Sequence, residues 1–125
     1  MAVAGLGLDI CSVERMRGIL EGPRGKRFVE RVYTRAEQAL CSQRADAAAA
    51  YAARFAAKEA LVKALGAPPG LRWTEMEVVR DGGAPRFNLR GQALAEVERR
   101  GLEVFLALTH DGGMAAAAVI LDRIR

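Results

Sequence analysis

The sequence predicts an α+β fold in which a small antiparallel sheet packs on one long helix, and three stretches predict it. Residues 51–66, Tyr-Ala-Ala-Arg-Phe-Ala-Ala-Lys-Glu-Ala-Leu-Val-Lys-Ala-Leu-Gly, are strong helix formers without proline and end on a glycine where a C-cap is wanted. Residues 103–108 and 114–121 are apolar strands joined by Thr109-His110-Asp111-Gly112-Gly113, a hairpin pattern. Residues 73–80 and 85–89, with Asp81-Gly82-Gly83-Ala84 between them, repeat that pattern.

The remaining elements follow in chain order. Residues 3–10 are an apolar run interrupted by Gly5 and Gly7, which reads as a buried strand whose glycines admit another backbone or a ligand. Asp9 ends it. Such a carboxylate either caps the helix that follows or needs a cation or several donors, and local sequence leaves both readings open. Residues 12–20 read as a helix with Val13, Met16, Ile19 and Leu20 as its apolar positions, stopped by Glu21-Gly22-Pro23. A basic segment, Arg24-Gly25-Lys26-Arg27-Phe28, opens a short helix through Val32. Thr34 with Glu37 makes a capping box for the next helix, and the alanines of 45–50 lead into the long one. Ala67-Pro68-Pro69-Gly70 must be a loop, and residues 91–100 form a last helix ended by Gly101.

On the long helix, Tyr51, Phe55 and Val62 share a core-facing side with Leu61 and Leu65 at its margin. Ala52 and Ala56 form a side-chain-poor strip beside Glu59 and Lys63 in which something could lie. The plain alternative is that Glu59 and Lys63 are an i, i+4 surface ion pair. Arg54 and Lys58 add positive charge that suits either a phosphate-bearing ligand or a solvated face.

Composition sets outer limits. The chain has 125 residues, half of them hydrophobic, enough for one domain spanning 1–125 and too few for two. A formal charge of +4 and a pI near 9.6 call for an acidic or phosphorylated partner. Aromatic residues are few and not interleaved with basic ones, so a base-stacking surface of the RNA-binding kind is not indicated and no nucleic-acid partner is expected. Cys11 and Cys41 have no CxxC spacing, so neither zinc nor a disulfide framework is expected. No stretch has the length of a membrane span and the N-terminus lacks a signal-peptide pattern, so a cytoplasmic protein is expected. Nucleophile-elbow, dinucleotide and Walker patterns are missing, and His110 beside Asp111 has no nucleophile to activate.

Gly5-Leu6-Gly7-Leu8-Asp9-Ile10, Arg27-Phe28 with Thr34 and Glu37, Arg54-Phe55-Ala56-Ala57-Lys58-Glu59-Ala60 with Lys63-Ala64-Leu65-Gly66, and Leu108-Thr109-His110 before an alanine-rich strand together resemble the holo-acyl-carrier-protein synthases, the small trimeric 4′-phosphopantetheinyl transferases. The resemblance runs nearly end to end. It departs at Ala67-Pro68-Pro69-Gly70, where many relatives have Thr-Gly, and at Ala107, where many have Ser; both bear on coenzyme A binding.

The resemblance implies transfer of the phosphopantetheine arm of coenzyme A to a serine of an apo acyl carrier protein, as in fatty-acid and polyketide synthesis, with release of adenosine 3′,5′-bisphosphate. It implies Asp9 and Glu59 as ligands of Mg2+, with Mn2+ as a substitute, and Lys63 against the pyrophosphate. Arg54, Gly66, Thr109 and His110 would contact the coenzyme, the Thr-His pair from a neighbouring protomer of a homotrimer. Asp111 would hold a metal-bound water or steer the carrier. The serine's proton would pass to a water held by Glu59, or second by Asp111. Acidic carriers would dock on Arg15, Met16, Arg24, Lys26, Arg27 and Phe28. A small module that binds nucleotide or nucleic acid through its basic surface, without catalysis, is the competing reading, and it has no use for Asp9 or Glu59.

Overall fold

The structure, a computed structural model, describes residues 2–124. Strand β1 (Val3–Ser12) runs into helix α1 (Val13–Glu21), followed by α2 (Gly25–Val32), α3 (Arg35–Ser42) and the long α4 (Ala47–Leu65). A 3-10 turn (Trp73–Glu75) leads to the hairpin β2 (Met76–Val79) and β3 (Arg86–Leu89), then to α5 (Gly91–Arg100). The chain ends in β4 (Leu102–Asp111) and β5 (Met114–Arg123). The fold is α+β: β5 is the middle strand of an antiparallel sheet ordered β1-β5-β4, and β2-β3 forms a second, two-stranded ribbon.

The long helix obeys its local chemistry. Asp46 caps its start by accepting from the Ala49 amide at 3.1 Å, and Gly66 ends it at φ 81°, the left-handed conformation a C-cap glycine supplies. Its alanines let the sheet come close. A Cβ on Gly7 would collide with the Ala60 carbonyl oxygen, and one on Gly5 would stand 2.5 Å from the Ala64 carbonyl oxygen. β1 therefore rests on the helix backbone itself. The strip beside Glu59 is thus filled by the chain's own sheet rather than open to a ligand, and Ala52, Ala56 and Ala60 are fully buried.

Two apolar clusters hang on α4. Toward its C-terminal half, Leu61 and Leu65 meet Val119 and Leu121 of β5, Leu102 and Leu106 of β4, and Ala93 and Val97 of α5. Toward its N-terminal half, Tyr51 and Ala52 meet Val13 and Met16 of α1, with Val32, Tyr33 and Cys41. Phe55, expected in the core, is only half-buried and packs at 5.7 Å from Phe28 and 5.5 Å from Trp73.

Three further expectations are corrected. Lys58 is neither solvated nor near a ligand: it is fully buried, and its ammonium donates to the Val32 carbonyl at 2.6 Å, Glu37 Oε1 at 2.7 Å and the Trp73 carbonyl at 3.0 Å. Glu37, besides its capping-box bond to the Thr34 amide, accepts from the Val78 amide through Oε2. One ion pair thereby ties α2, α3, α4 and β2 together. Strand β1 is also not buried on both sides, because Leu6, Leu8 and Ile10 are 67%, 65% and 63% exposed. With Phe105 and Ile120 they make the face of the sheet opposite α4 an apolar surface. The 4–5 hairpin, finally, is tighter than expected: Thr109, His110 and Asp111 belong to β4, and only Gly112-Gly113 turn.

Candidate active site

Asp9 lies on the helix-facing side of β1, two residues past the Gly7 contact, and Glu59 lies on α4 next to Ala60. The close backbone approach brings both carboxylates to one cleft of about 370 Å³, lined also by Cys11, Arg15, Met16, Phe28 and Phe55. Asp9 does not cap α1; the Ser12 hydroxyl does, accepting from the Arg15 amide at 3.1 Å. Glu59 and Lys63 do not form the expected ion pair. Lys63 instead donates to Asp9 Oδ1 at 2.7 Å and to the Leu8 carbonyl at 3.3 Å.

Electrostatics bind the three groups into one unit. Burial, and then the neighbouring Asp9 charge, push the Glu59 carboxyl above its ordinary range, with Lys63 pulling the other way. The hydrogen bond and charge of Asp9 hold the Lys63 ammonium above its ordinary value. Cys11, a residue the sequence did not single out, is kept protonated by burial and by Asp9.

This donor set fits a hard divalent cation. Two carboxylates whose charges oppose each other, with room beside them, match the habit of magnesium, which takes one or two protein carboxylates and fills its sphere with waters and substrate phosphates. Among the described residues no group of three or more His, Cys, Asp or Glu side chains is placed to hold an ion alone.

A second cleft, about 320 Å³, opens on the other side of α4 between Arg44, Asp46, Arg54, Arg80, Thr109 and His110. Arg54 is 5% exposed; it donates to the Ala50 carbonyl at 3.3 Å, and its Nε has no hydrogen-bond partner. Four cationic or imidazole side chains around one opening favour an anion. Arg44 and Arg80 carried no local signal, since only the fold brings the end of α3 and the end of β2 to this cleft. The two clefts share no lining residue. His110 and Thr109 are thus separated within one chain from Asp9 and Glu59, while Asp111 is exposed at the end of β4 and lines neither cleft. Gly66 is exposed at the helix end.

Of the basic residues on the first two helices, Arg15 edges the Asp9 cleft, and Arg24, Arg27 and Arg31 surround a neighbouring hollow walled by Ile19, Pro23 and Phe28. Lys26 is exposed beside Arg24 and Arg27. Met16, expected on this surface, is 1% exposed and belongs to the core. Its i+3 spacing from Val13 puts it on the buried side of α1.

A small α+β enzyme with a carboxylate pair between a strand and a long helix is the class defined so far, and comparison narrows it. The sequence model of the 4′-phosphopantetheinyl transferase superfamily matches residues 5–118, and the chain belongs to that family of transferases. It is 68% identical over 122 residues to a holo-[acyl-carrier-protein] synthase of Myxococcus xanthus, covering 98% of this chain and 97% of the relative. Among solved structures, the Chronobacterium ammoniagenes ACPS-CoA complex superposes with a TM-score of 0.83 at 26% identity over the full length of both chains. The Helicobacter pylori holo-[acyl-carrier-protein] synthase in complex with coenzyme A superposes with a TM-score of 0.77 at 26% identity, over 94% of this chain and 99% of that one.

Proposed function

We propose that this chain, acting as one catalytic domain over residues 1–125, transfers the 4′-phosphopantetheine group of coenzyme A to a serine hydroxyl of an apo acyl carrier protein. The observation that carries the reading is that Asp9 and Glu59 line one cleft, with Lys63 held on Asp9, in a member of the phosphopantetheinyl transferase family. Asp9 and Glu59 would hold Mg2+ or Mn2+, which when bound neutralises charge on the pyrophosphate. Lys63, on a half-exposed and flexible stem, reaches the phosphate that leaves as adenosine 3′,5′-bisphosphate. The serine oxygen forms its bond to the phosphorus bearing the pantetheine arm as the bond to the other phosphate breaks. Glu59, through a water, takes the serine proton.

The second cleft supplies the anion contacts a coenzyme needs, through Arg44, Arg54, Arg80 and the Thr109-His110 pair. Because α4 separates that cleft from Asp9 and Glu59 within one chain, the Thr-His pair serves the site of a neighbouring protomer. The apolar outer face of the sheet supports a homotrimer, in which Leu6, Leu8, Ile10, Phe105 and Ile120 are covered. Arg15, Arg24, Lys26 and Arg27 attract the acidic carrier, with Phe28 as the apolar contact of that surface. No helix among the described residues is long and apolar enough to cross a membrane, and a cytoplasmic enzyme of lipid or polyketide synthesis fits this set of substrates.

Intact-mass measurement tests the reading. An apo carrier incubated with coenzyme A, magnesium and the protein should gain one phosphopantetheine group, and Glu59→Gln should lose nearly all of this activity. A carrier of unchanged mass, or full turnover by Glu59→Gln at saturating magnesium, would remove the assignment.

A further inference from the structure

Lys63 occupies an unusual place for a residue one helical turn beyond Glu59, because it reaches past that carboxylate to the strand. Its ammonium holds both Asp9 Oδ1 and the Leu8 carbonyl, so it is bound to side chain and backbone of β1 together. Asp9 is largely sheltered, its side chain 16% exposed, whereas the Lys63 side chain is 53% exposed, with solvent beside its stem to receive it once its two bonds are given up. The cation that lines the Asp9 cleft itself is Arg15, and the ammonium that Asp9 holds is that of Lys63.

An ammonium seated on Asp9 and a divalent cation shared by Asp9 and Glu59 compete for the same carboxylate and repel each other at short range. We infer that Lys63 is a built-in competitor for the cation: it holds Asp9 until a substrate phosphate draws it away, so that cation and pyrophosphate are taken up together rather than cation first. This rests on the reading of Asp9 and Glu59 as the cation's ligands. The long side chain carries the exchange alone, since the backbones of β1 and α4 are fixed by the Gly7–Ala60 contact. Linkage makes the effect reciprocal, so the coenzyme strengthens cation binding by the factor through which the cation strengthens coenzyme binding.

Binding of Mn2+ to the protein without coenzyme, read by electron paramagnetic resonance of the free ion, tests this without recourse to turnover. Lys63→Met should tighten Mn2+ by about fivefold or more, the effect of releasing an exposed ion pair at the strong end of its usual range. Lys63→Arg keeps a cation within reach of Asp9 and should bind Mn2+ as the unaltered protein does. Arg15→Met removes a charge from the same cleft but no contact with Asp9, and should change the affinity by less than about twofold because solvent screens it. Unchanged affinity in Lys63→Met, or equal tightening in Lys63→Met and Arg15→Met, overturns the competition. The double variant Lys63→Met with Glu59→Gln should lose the tight Mn2+, which assigns the signal to this cleft. If Mn2+ binding fails to depend on Glu59 even with coenzyme A present, the cation reading itself falls; if that dependence holds while Lys63→Met binds no tighter, the competition alone falls.

Discussion

Replacing Lys58 by methionine isolates the buried ion pair and allows a magnitude to be worked from the contacts. The ammonium uses all three donors, on Glu37 and on the carbonyls of Val32 and Trp73, and neither partner of the pair is exposed. Methionine fills most of the same volume but strands the Glu37 carboxylate without a counter-ion and takes the donor from the Val32 carbonyl, while the Trp73 carbonyl keeps the Met76 amide. Removing one partner of a buried pair costs about 3–5 kcal/mol. The orphaned Val32 carbonyl falls within that range rather than adding to it, because such penalties are not independent. Set against a total stability of about 5–15 kcal/mol, this is a large fraction. At about 4 °C per kcal/mol for a chain of this size, Tm should fall by about 12–20 °C. Urea unfolding and thermal melts, both at one fixed protein concentration so that assembly does not shift the midpoint, measure it. A loss below about 1 kcal/mol, the range of a solvent-exposed pair, would refute the reasoning. Combining Lys58→Met with Glu37→Leu should cost less than the two single changes added together, since no charge is then stranded. It should not restore full stability, because the Thr34 and Val78 amides lose their acceptor.

The other predictions concern assembly, docking and pH. Leu8→Arg, on the outward face of the sheet, should alter the isolated fold by no more than about 0.5 kcal/mol yet convert the proposed trimer to monomers of low activity in sedimentation and turnover measurements; an intact active trimer would count against this interface. Arg15→Glu should raise the KM for the carrier and flatten its dependence on ionic strength, leaving the KM for coenzyme A unchanged; a salt-insensitive KM in the unaltered protein would dismiss the docking face. Burial works to raise the Glu77 carboxyl, but the Thr34 hydroxyl, the Asn88 amide, Arg90 and Lys58 together hold it below its ordinary value. A depressed carboxylate contributes stability that is present above its unfolded pKa and lost as pH falls through the folded one. Glu77→Gln should therefore be destabilising at pH 7, with the difference from the unaltered protein shrinking below about pH 4.3, as urea midpoints at the two pH values will register. A difference independent of pH would contradict the assignment.

Much of the fold was legible because local chemistry and tertiary structure agree. The Thr34-Glu37 box and the Gly66 and Gly101 stops are signals that act over a few residues and fell where expected; both glycine-rich turns join hairpin strands, though β2 starts three residues later and β4 runs three residues further than the sequence suggests. The site was legible in part. Asp9 stood out as a charge in an apolar strand, but its partner did not, because Lys63 lies 54 positions away and i, i+4 spacing pointed to Glu59 instead. Lys58 was misread for a related reason. Charge along a helix says nothing about burial until the partner is known, and Glu37 had already been accounted for as a cap. The same holds for Met16, which has the hydrophobicity of a docking contact and the position of a core residue. Leu6, Leu8 and Ile10 look like any buried strand in sequence, since an apolar run does not tell which face of a sheet a helix covers. Arg44 and Arg80 belong to a cleft that exists only after three distant segments meet.

The seating of β1 on α4 has a consequence for how this site can vary. Two bare backbones touch at Gly7 and Ala60, with one carboxylate two residues along the strand and the other on the adjacent helical position. The spacing of the acidic pair is consequently gauged by main chain against main chain, with no packed side chain intervening whose drift in size could widen it. Sequence change elsewhere in the interior can soften or stiffen the protein while leaving that gauge as it was, whereas a single methyl group on Gly7 would reset it.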